Sequence, residues 1–478
     1  MTTLVWFRQD LRTADNPALA AAAAAGDGVV PIYLDTPLEH GAWAPGAASR
    51  WWLHYSLECL SEDLAARGSR LTVRASADTR QELIGMAREC GATRVLWNRC
   101  YEPAASARDQ GIKAALGAAG LAAHSYNSAL LREPWEVANK AGGPYQVFTP
   151  FWRHCLSLPE PAVPLPAPRR LAAPRNWPQS TTIANLALLP RTGWTLGLHA
   201  AWRPGSEGAA VRLAEFLRES FDAYGTLRNR PDLARTSRLS PHLHFGEIGP
   251  RQIWHAARVA ALAGGRDDSW RQAQFFTELG WREFAHHLLF HFPHTPTEPL
   301  RTNFARFPWQ SDPQMLCAWQ RGMTGYPIVD AGLRELWRTG WMHNRLRMIV
   351  ASFLVKDLLL PWTLGARWFW DTLVDADLAS NTLGWQWVAG CGADAAPFFR
   401  IFNPCSQGSK FDPDGGYVRL HVPELAQLPN EWIHRPWEAP PTVLQAAAVR
   451  LGETYPKPVV DHGLARDRAL AAFATLKN

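Results

Sequence analysis

Leu4-Val-Trp-Phe7, Val29-Val-Pro-Ile-Tyr-Leu-Asp35 and Arg94-Val-Leu-Trp-Asn98 are short, nearly all-apolar runs, each followed by a stretch of helical periodicity. Runs of this length without polar alternation read as strands buried on both faces. Leu71-Thr-Val-Arg-Ala75 and Ala122-Ala-His-Ser-Tyr-Asn127 extend the series. An Ala-rich helix after Asp15-Asn-Pro17, a helix over Arg50–Arg67, one through Met86 and another after Asn98 lie between them. Strand–helix alternation over residues 1–130 predicts a doubly wound parallel sheet, a Rossmann-like α/β domain. No G-x-G-x-x-G follows the first strand, so this is not an ordinary dinucleotide site.

The pattern changes after that domain. Leu158–Pro190 is rich in proline and poor in periodicity, and residues 131–205 read as a connector lying over the surface. From Ser206 onward helical patterns dominate, longest over Ser269–His291 and Met342–Leu359, which predicts an all-α domain over 206–478. A chain of 478 residues is long enough for two or three such units.

Composition narrows the function. The net charge of +6 and a pI near 9.0 are compatible with a polyanionic partner and equally with an ordinary basic enzyme. No run approaches the ~18–20 apolar residues that span a bilayer, and Arg8 interrupts any signal-type segment, so a cytoplasmic protein without membrane contact is expected. The seven cysteines form no C-x-x-C pair, which excludes an evident zinc site and predicts buried thiols in a reducing compartment. Tryptophan is unusually frequent: 24 residues against 20 Phe, with 11 of them between Trp270 and Trp387. Core packing accounts for several, but indole also stacks on flat ligands and bases and can be oxidised and re-reduced.

Five motifs carry candidate chemistry. Arg235-Thr-Ser-Arg-Leu-Ser-Pro241 sets hydroxyls and cations before a helix, which suits a diphosphate or simply a capped, solvated turn. Asp375-Ala-Asp377, followed by Asn381, places two carboxylates that point apart. They suit two polar atoms of one large ligand, or an N-cap and a solvated acid; a hydrolase pair lacks its partner motif. In Gly384-Trp-Gln-Trp-Val388 the two indoles lie about 200° apart on a helix, one facing inward and one a cleft. In Trp341–Met348 the residues Asn344 and Met348 share a helical face, with Arg347 expected to turn away. Glu278, Trp281 and Arg282 form a stripe at i, i+3, i+4, fit either for a base pocket beside a phosphate or for core packing with a surface ion pair.

Taken together, LVWFRQDLR with DNPAL, TSRLSPHLHFGEI, TGYPIVDAGLRELWRTGWMHNRLRMIVASFLVKDLL and DADLASNTLGWQWVAGCGADAAPFFRIFNP resemble the DNA photolyase and cryptochrome family, over nearly the whole chain and in family order. The resemblance is nearest to class I cyclobutane pyrimidine dimer photolyases. It implies a flavoprotein whose helical domain binds FAD, and damaged DNA as partner, with a monomer needing no protein partner. Tyr224, Thr236, Ser237, Arg238, Leu239 and Ser240 match positions around the cofactor phosphates; Phe275, Arg347, Asp375, Ala376, Asp377 and Asn381 match positions lining the rest, with Asn381 near flavin N5. Arg228, Glu278, Trp281, Arg282, Asn344, Arg345, Met348, Trp387 and Gln407 match the lesion and DNA surface. Glu278 and Asn381 take catalytic roles by this resemblance, and Trp385, Trp362 and Trp309 match an electron relay. The implied reaction is electron donation from excited FADH⁻ to a flipped-out dimer, with the protein supplying position and electrostatics.

Rival readings lie within and outside the family. A cryptochrome would signal rather than repair; the chain ending soon after the helical pattern, without a long tail, favours the enzyme. A (6-4) photolyase is expected to carry histidines in its pocket, where Asn344 and Met348 stand here. Outside the family, an α/β–helical tRNA-binding enzyme fits the composition and would be colourless. The antenna chromophore is not legible: Ala105 stands where folate-binding relatives carry a Glu, and a family Lys is replaced near Thr297, both of which argue against a pterin site.

Overall fold

The computed structural model describes residues 1–190, 192–265 and 268–477. Five parallel strands, β1 (Thr2–Phe7), β2 (Gly28–Asp35), β3 (Thr72–Ala75), β4 (Ala92–Asn98) and β5 (Ala122–Tyr126), form one sheet in the order β3-β2-β1-β4-β5. β1 is central, with Leu4 opposite Val30 on one side and Val95 on the other, and all six of its residues are buried. That double burial is why the strand reads as a continuous apolar run rather than an alternating one. Crossover helices start and stop on local signals: the Asn16 side chain accepts from the Leu19 N–H, Asp78 caps the helix Thr79–Cys90, and Gly91 ends it in the left-handed region.

The order reverses between β1 and β4, which opens a crevice at the strands' carboxyl ends. The loop leaving β1 runs from there into the helical domain. Arg12, 1% exposed, donates to the carbonyls of Gly246 (2.8 Å) and Ser128 (2.9 Å), and Leu11 N–H reaches Phe245 O at 3.0 Å. The connector is anchored as well. Ala172 O accepts the Val29 N–H at 2.9 Å, Leu171, Leu186 and Leu188 join the core on one side of the sheet, and helix α1 (Phe148–Ser157) packs on the helical domain.

Five helices of the all-α part position the site: α2 (Gln274–His291), α3 (Asn344–Ser352), α4 (Trp362–Thr372), α5 (Leu378–Ala389) and α6 (Pro404–Phe411). α2 starts later than its periodicity predicts, after a 3-10 turn. The long helix expected over Met342–Leu359 is interrupted: α3 passes into a π-helical turn at Phe353–Asp357. α5 crosses α4 closely because residue 365 is glycine. A Cβ there would stand 2.0 Å from the Trp385 ring. No helix among the described residues is long and apolar enough to cross a membrane.

Candidate functional site

A cavity of about 530 Å³ opens between α2, α3, α4 and α5, within the size range of pockets that bury a large cofactor. Its inner part is polar at a few points. Arg347 donates through one guanidinium nitrogen to both Asp375 oxygens, at 3.0 and 2.8 Å, and through Nε to Met342 O at 2.8 Å. Asp375 is buried, and burying its carboxylate is tolerable only because Arg347 meets it. Arg347 therefore faces the cavity together with Asn344, Met348 and Ala351, which corrects the expectation that it turns away. Residues 344, 347, 348 and 351 form one i, i+3, i+4, i+7 stripe.

Asn381 lies on the facing wall. Its Nδ2 donates to Ala366 O at 3.0 Å, which fixes the amide orientation and leaves Oδ1 to accept from whatever fills the cavity. Ala376 and Ser380 line the same wall. Asp377 does not line the cavity. It caps α5 through the Ser380 N–H (2.7 Å) and lies 3.5 Å from His286. Its carboxyl is held down to about 2 against the cost of burial, by His286, Arg282, His244 and the Ser380 N–H. The two carboxylates thus serve different partners. His286, which the motif reading passed over, was findable as the next step (i+4) of the Glu278–Arg282 stripe.

Of the diphosphate candidates, Ser240 alone is in the cavity lining; the rest of its loop lies behind it. Leu239 is buried, and Thr236 and Ser237 are half-buried in the loop before the short helix Ser240–His244. Arg238 sits at φ +51°, a strained setting for a non-glycine residue, with its guanidinium carbon 4.7 Å from the Trp202 ring and 4.5 Å from the Trp341 ring. Its buried Nε has no partner in the protein. A held cation with an unpaired donor beside serine and threonine hydroxyls fits a phosphate group. Tyr224 and Phe275, expected beside the cofactor, pack on each other at 5.8 Å and do not line the cavity.

The mouth gathers the other candidates. Glu278, Trp281 and Arg282 on α2, Arg228, Asn344, Arg345 and Met348, and Trp387 on α5 all line it. Gln274 Nε2 donates to Glu278 at 2.7 Å, and Arg228 pairs with the same oxygen. Arg345 rests 4.4 Å over the Phe411 ring and donates to Asn229 Oδ1 at 2.7 Å. Gln407 does not line the cavity; it lies one turn before Phe411 on α6. Arg282 is drawn inward, donating to Ala129 O at 2.6 Å and lying 3.7 Å from Glu283.

Trp385, 2% exposed, touches the cavity and packs on Phe369 (5.0 Å) and Trp319 (6.2 Å). Trp387 is half-buried and also lines it, so both indoles of the motif meet the pocket instead of one alone. Trp362, 4% exposed, lies one turn before Gly365, against which the Trp385 ring rests. Gln310 N–H bonds to Leu359 O at 2.9 Å, which brings the Trp309 segment beside the start of α4. Trp385 and Trp362 belong to one buried core cluster, and Trp309 packs against it.

His343 caps α3 through Nδ1, which accepts the Arg345 N–H at 3.1 Å. Burial, then Arg345 and Arg347, push it from 6.5 down to about 4. The unfolded chain therefore takes up a proton near pH 6.5 that the folded chain refuses until about 4. His287, pushed down to about 4, and His421, to about 3, behave alike. Stability is then full above pH 6.5 and falls as pH drops toward 4. Melting temperature measured across this range should fall, with a shallower slope in His343→Asn.

The crevice at the β1/β4 switch forms a smaller cavity of about 90 Å³, lined by Trp6, Arg8, Glu102, Ala105, Arg108 and Trp370 among others. Ala105 is 6% exposed there and presents only a methyl group.

Comparison with known proteins bears on both domains. Residues 3–169 match the family model described as DNA photolyase, and residues 275–475 match that of the FAD binding domain of DNA photolyase. The chain belongs to the DNA photolyase and cryptochrome family. It is 50% identical over 475 residues to a deoxyribodipyrimidine photo-lyase of Agrobacterium fabrum, covering 99% of this chain and 98% of the relative. It is 44% identical to Cryptochrome-2 of Arabidopsis thaliana, over 99% of this chain and 78% of the relative. The crystal structure of a bacterial class III photolyase from Agrobacterium tumefaciens superposes with a TM-score of 0.95 at 48% identity, covering 100% of this chain and 98% of that one. The sequence reading leaned to class I within the family; this solved relative carries the class III designation. The domain order, the parallel sheet and the FAD-binding helical domain are those of the family, and FAD is the cofactor.

Proposed function

We propose that the chain repairs cyclobutane pyrimidine dimers in DNA in a light-dependent reaction. One observation carries this reading: an acid (Glu278), two indoles (Trp281, Trp387) and three cations (Arg228, Arg282, Arg345) line the same cavity as the FAD candidates Ser240, Arg347, Asp375, Ala376 and Asn381. FAD, when bound, supplies the light absorption and electron transfer. Arg347, Asp375 and Asn381 would hold its ring system, with Arg238 and the hydroxyls of Thr236, Ser237 and Ser240 on its phosphates. Asn381 Oδ1, left free by the bond from its Nδ2 to Ala366 O, would accept a hydrogen bond from a protonated ring nitrogen and so favour a reduced flavin. Trp385, Trp362 and Trp309 form the relay toward the surface.

The lesion has to leave the duplex to reach this mouth, at a cost of a few kcal/mol that is smallest at an already distorted step. Trp281 and Trp387 cover the extruded bases and exclude water, each stacked base contributing about 1–3 kcal/mol. Glu278, oriented by Gln274 and Arg228, accepts from a base edge. Arg228 and Arg345 meet flanking phosphates, while Arg282 stays tied to Ala129 O. Arg345→Ala should lower affinity for DNA and reduce the log–log salt slope by about 0.9, the value for one phosphate contact. Titration at several salt concentrations reads this, and an unchanged slope removes Arg345 from the interface.

No histidine lines the cavity among the described residues. The proton transfers expected of (6-4) repair therefore lack a histidine here, and Asn344 and Met348 offer no general acid in its place. Defined oligonucleotides carrying each lesion should show dimer repair without (6-4) repair. A second reading, a blue-light signalling flavoprotein, draws on the cryptochrome relative; absence of dimer repair by fully reduced protein would favour it.

A further inference from the structure

The Trp281 indole is not held by its own helix alone. Phe148, the first residue of α1 in the connector, lies flat against it, ring centroids 3.8 Å apart and planes within 7°. Phe284, one turn along α2, closes on both edge-on, with each centroid at 5.9 Å. The stack therefore covers one face of Trp281 and leaves the other to the cavity that Trp281 lines.

Two further contacts set the register. Residue 280 is glycine, and a Cβ there would lie 2.5 Å from the Trp152 ring. Trp152, one turn after Phe148, thus seats in a notch on α2 immediately before Trp281. The Phe148 N–H, a first-turn donor without an intrahelical partner, is met at 3.3 Å by Asp394 Oδ2 from the loop after α5. Asp394 itself holds φ +45°, a left-handed setting that aspartate tolerates better than most residues.

Resting on the lesion-pocket reading above, we propose that Phe148 is the positioning residue for Trp281. It fixes the indole plane as a rigid lesion wall, and Asp394 and the Trp152–Gly280 seat fix Phe148 in turn. The wall is then assembled from two segments far apart in sequence, and lesion discrimination depends on the connector docking correctly.

The test is a double-mutant cycle on lesion affinity, read by titration of the FAD-loaded protein with dimer-containing and undamaged duplexes of one sequence. Phe148→Leu keeps most of the volume and removes the stack. It should lower affinity for dimer DNA by about 3- to 10-fold, the range expected for one aromatic pair. Affinity for undamaged DNA and flavin content should not change. In a Trp281→Leu background the same substitution should have no further effect. Additive losses, or an unchanged ratio of lesion to undamaged affinity, overturn the proposal even if the melting temperature falls. Should Phe148→Leu fail to fold, Asp394→Ala serves instead: a lower lesion-to-undamaged ratio supports the proposal and an unchanged ratio overturns it. A Trp281→Leu variant with full lesion affinity would sink the lesion-pocket reading itself.

Discussion

Trp385→Phe is expected to abolish photoreduction of oxidised FAD by an external donor while leaving dimer repair intact once the flavin has been reduced chemically. Trp385 is the relay candidate that reaches the cavity, and its ring lies over Gly365 with Trp362 one turn away on the same helix. Phenylalanine preserves an aromatic ring in that notch, so the stability cost should fall below the ~3–5 kcal/mol of a truncation to alanine. It is, however, much harder to oxidise than indole, so an electron-hopping step through this position fails. On the proposed reading repair needs no such step, because the lesion would lie at the same cavity as the flavin and take its electron directly. If the variant photoreduces like the parent, Trp385 is not the first member of the relay. If it cannot repair with prereduced flavin, the residue belongs to cofactor binding or to repair itself. A residue that only packs the core would lower the melting temperature and leave both activities in proportion.

Asp375→Ala is expected to yield protein with little or no flavin. The two hydrogen bonds to Arg347, at 3.0 and 2.8 Å, make this pair the most strongly tied polar feature of the inner cavity. Removing the carboxylate strands a cation, at the low end of the ~3–5 kcal/mol typical of a broken buried pair because Arg347 is 24% exposed. Arg347 keeps its bond to Met342 O, so α3 should stay folded while the cavity loses its fixed charges. The flavin-to-protein absorbance ratio reads the outcome directly. Full flavin occupancy in Asp375→Ala would remove the pair from the cofactor site. Asp375→Asn separates the two contributions, since it keeps a hydrogen-bond acceptor and discards the charge.

The sheet was legible because β1 and its neighbours are covered on both faces, so Leu4–Phe7, Val29–Asp35 and Arg94–Asn98 read as unbroken apolar runs. The site was legible where residues share one helix: Glu278, Trp281 and Arg282 line the cavity as their spacing predicts. Arg347 was misplaced because one stripe was read from Asn344 to Met348 without its i+3 member. Helix α1 went unread although Phe148, Phe151, Trp152 and Cys155 follow helical spacing. Pro150 masked it, since proline is tolerated in a first turn yet reads as a breaker within a pattern. Contacts between segments had no local signal at all. Gly280 and Gly365 matter only for the indoles that reach them from other helices. Helical periodicity likewise runs straight through the π-helical turn at Phe353–Asp357 and gives no sign of it.

On the proposed reading one cavity holds both FAD and an extruded dimer, with Glu278 and the two indoles lining it. The most direct test is conversion of a duplex carrying a single thymine dimer, by protein with chemically reduced flavin, in matched illuminated and dark samples. Conversion should occur only under light, follow the absorption of the reduced flavin with wavelength, and fall sharply in Glu278→Ala without loss of bound flavin. Equal conversion in the dark, or no conversion under light by fully flavin-loaded protein, would contradict the account.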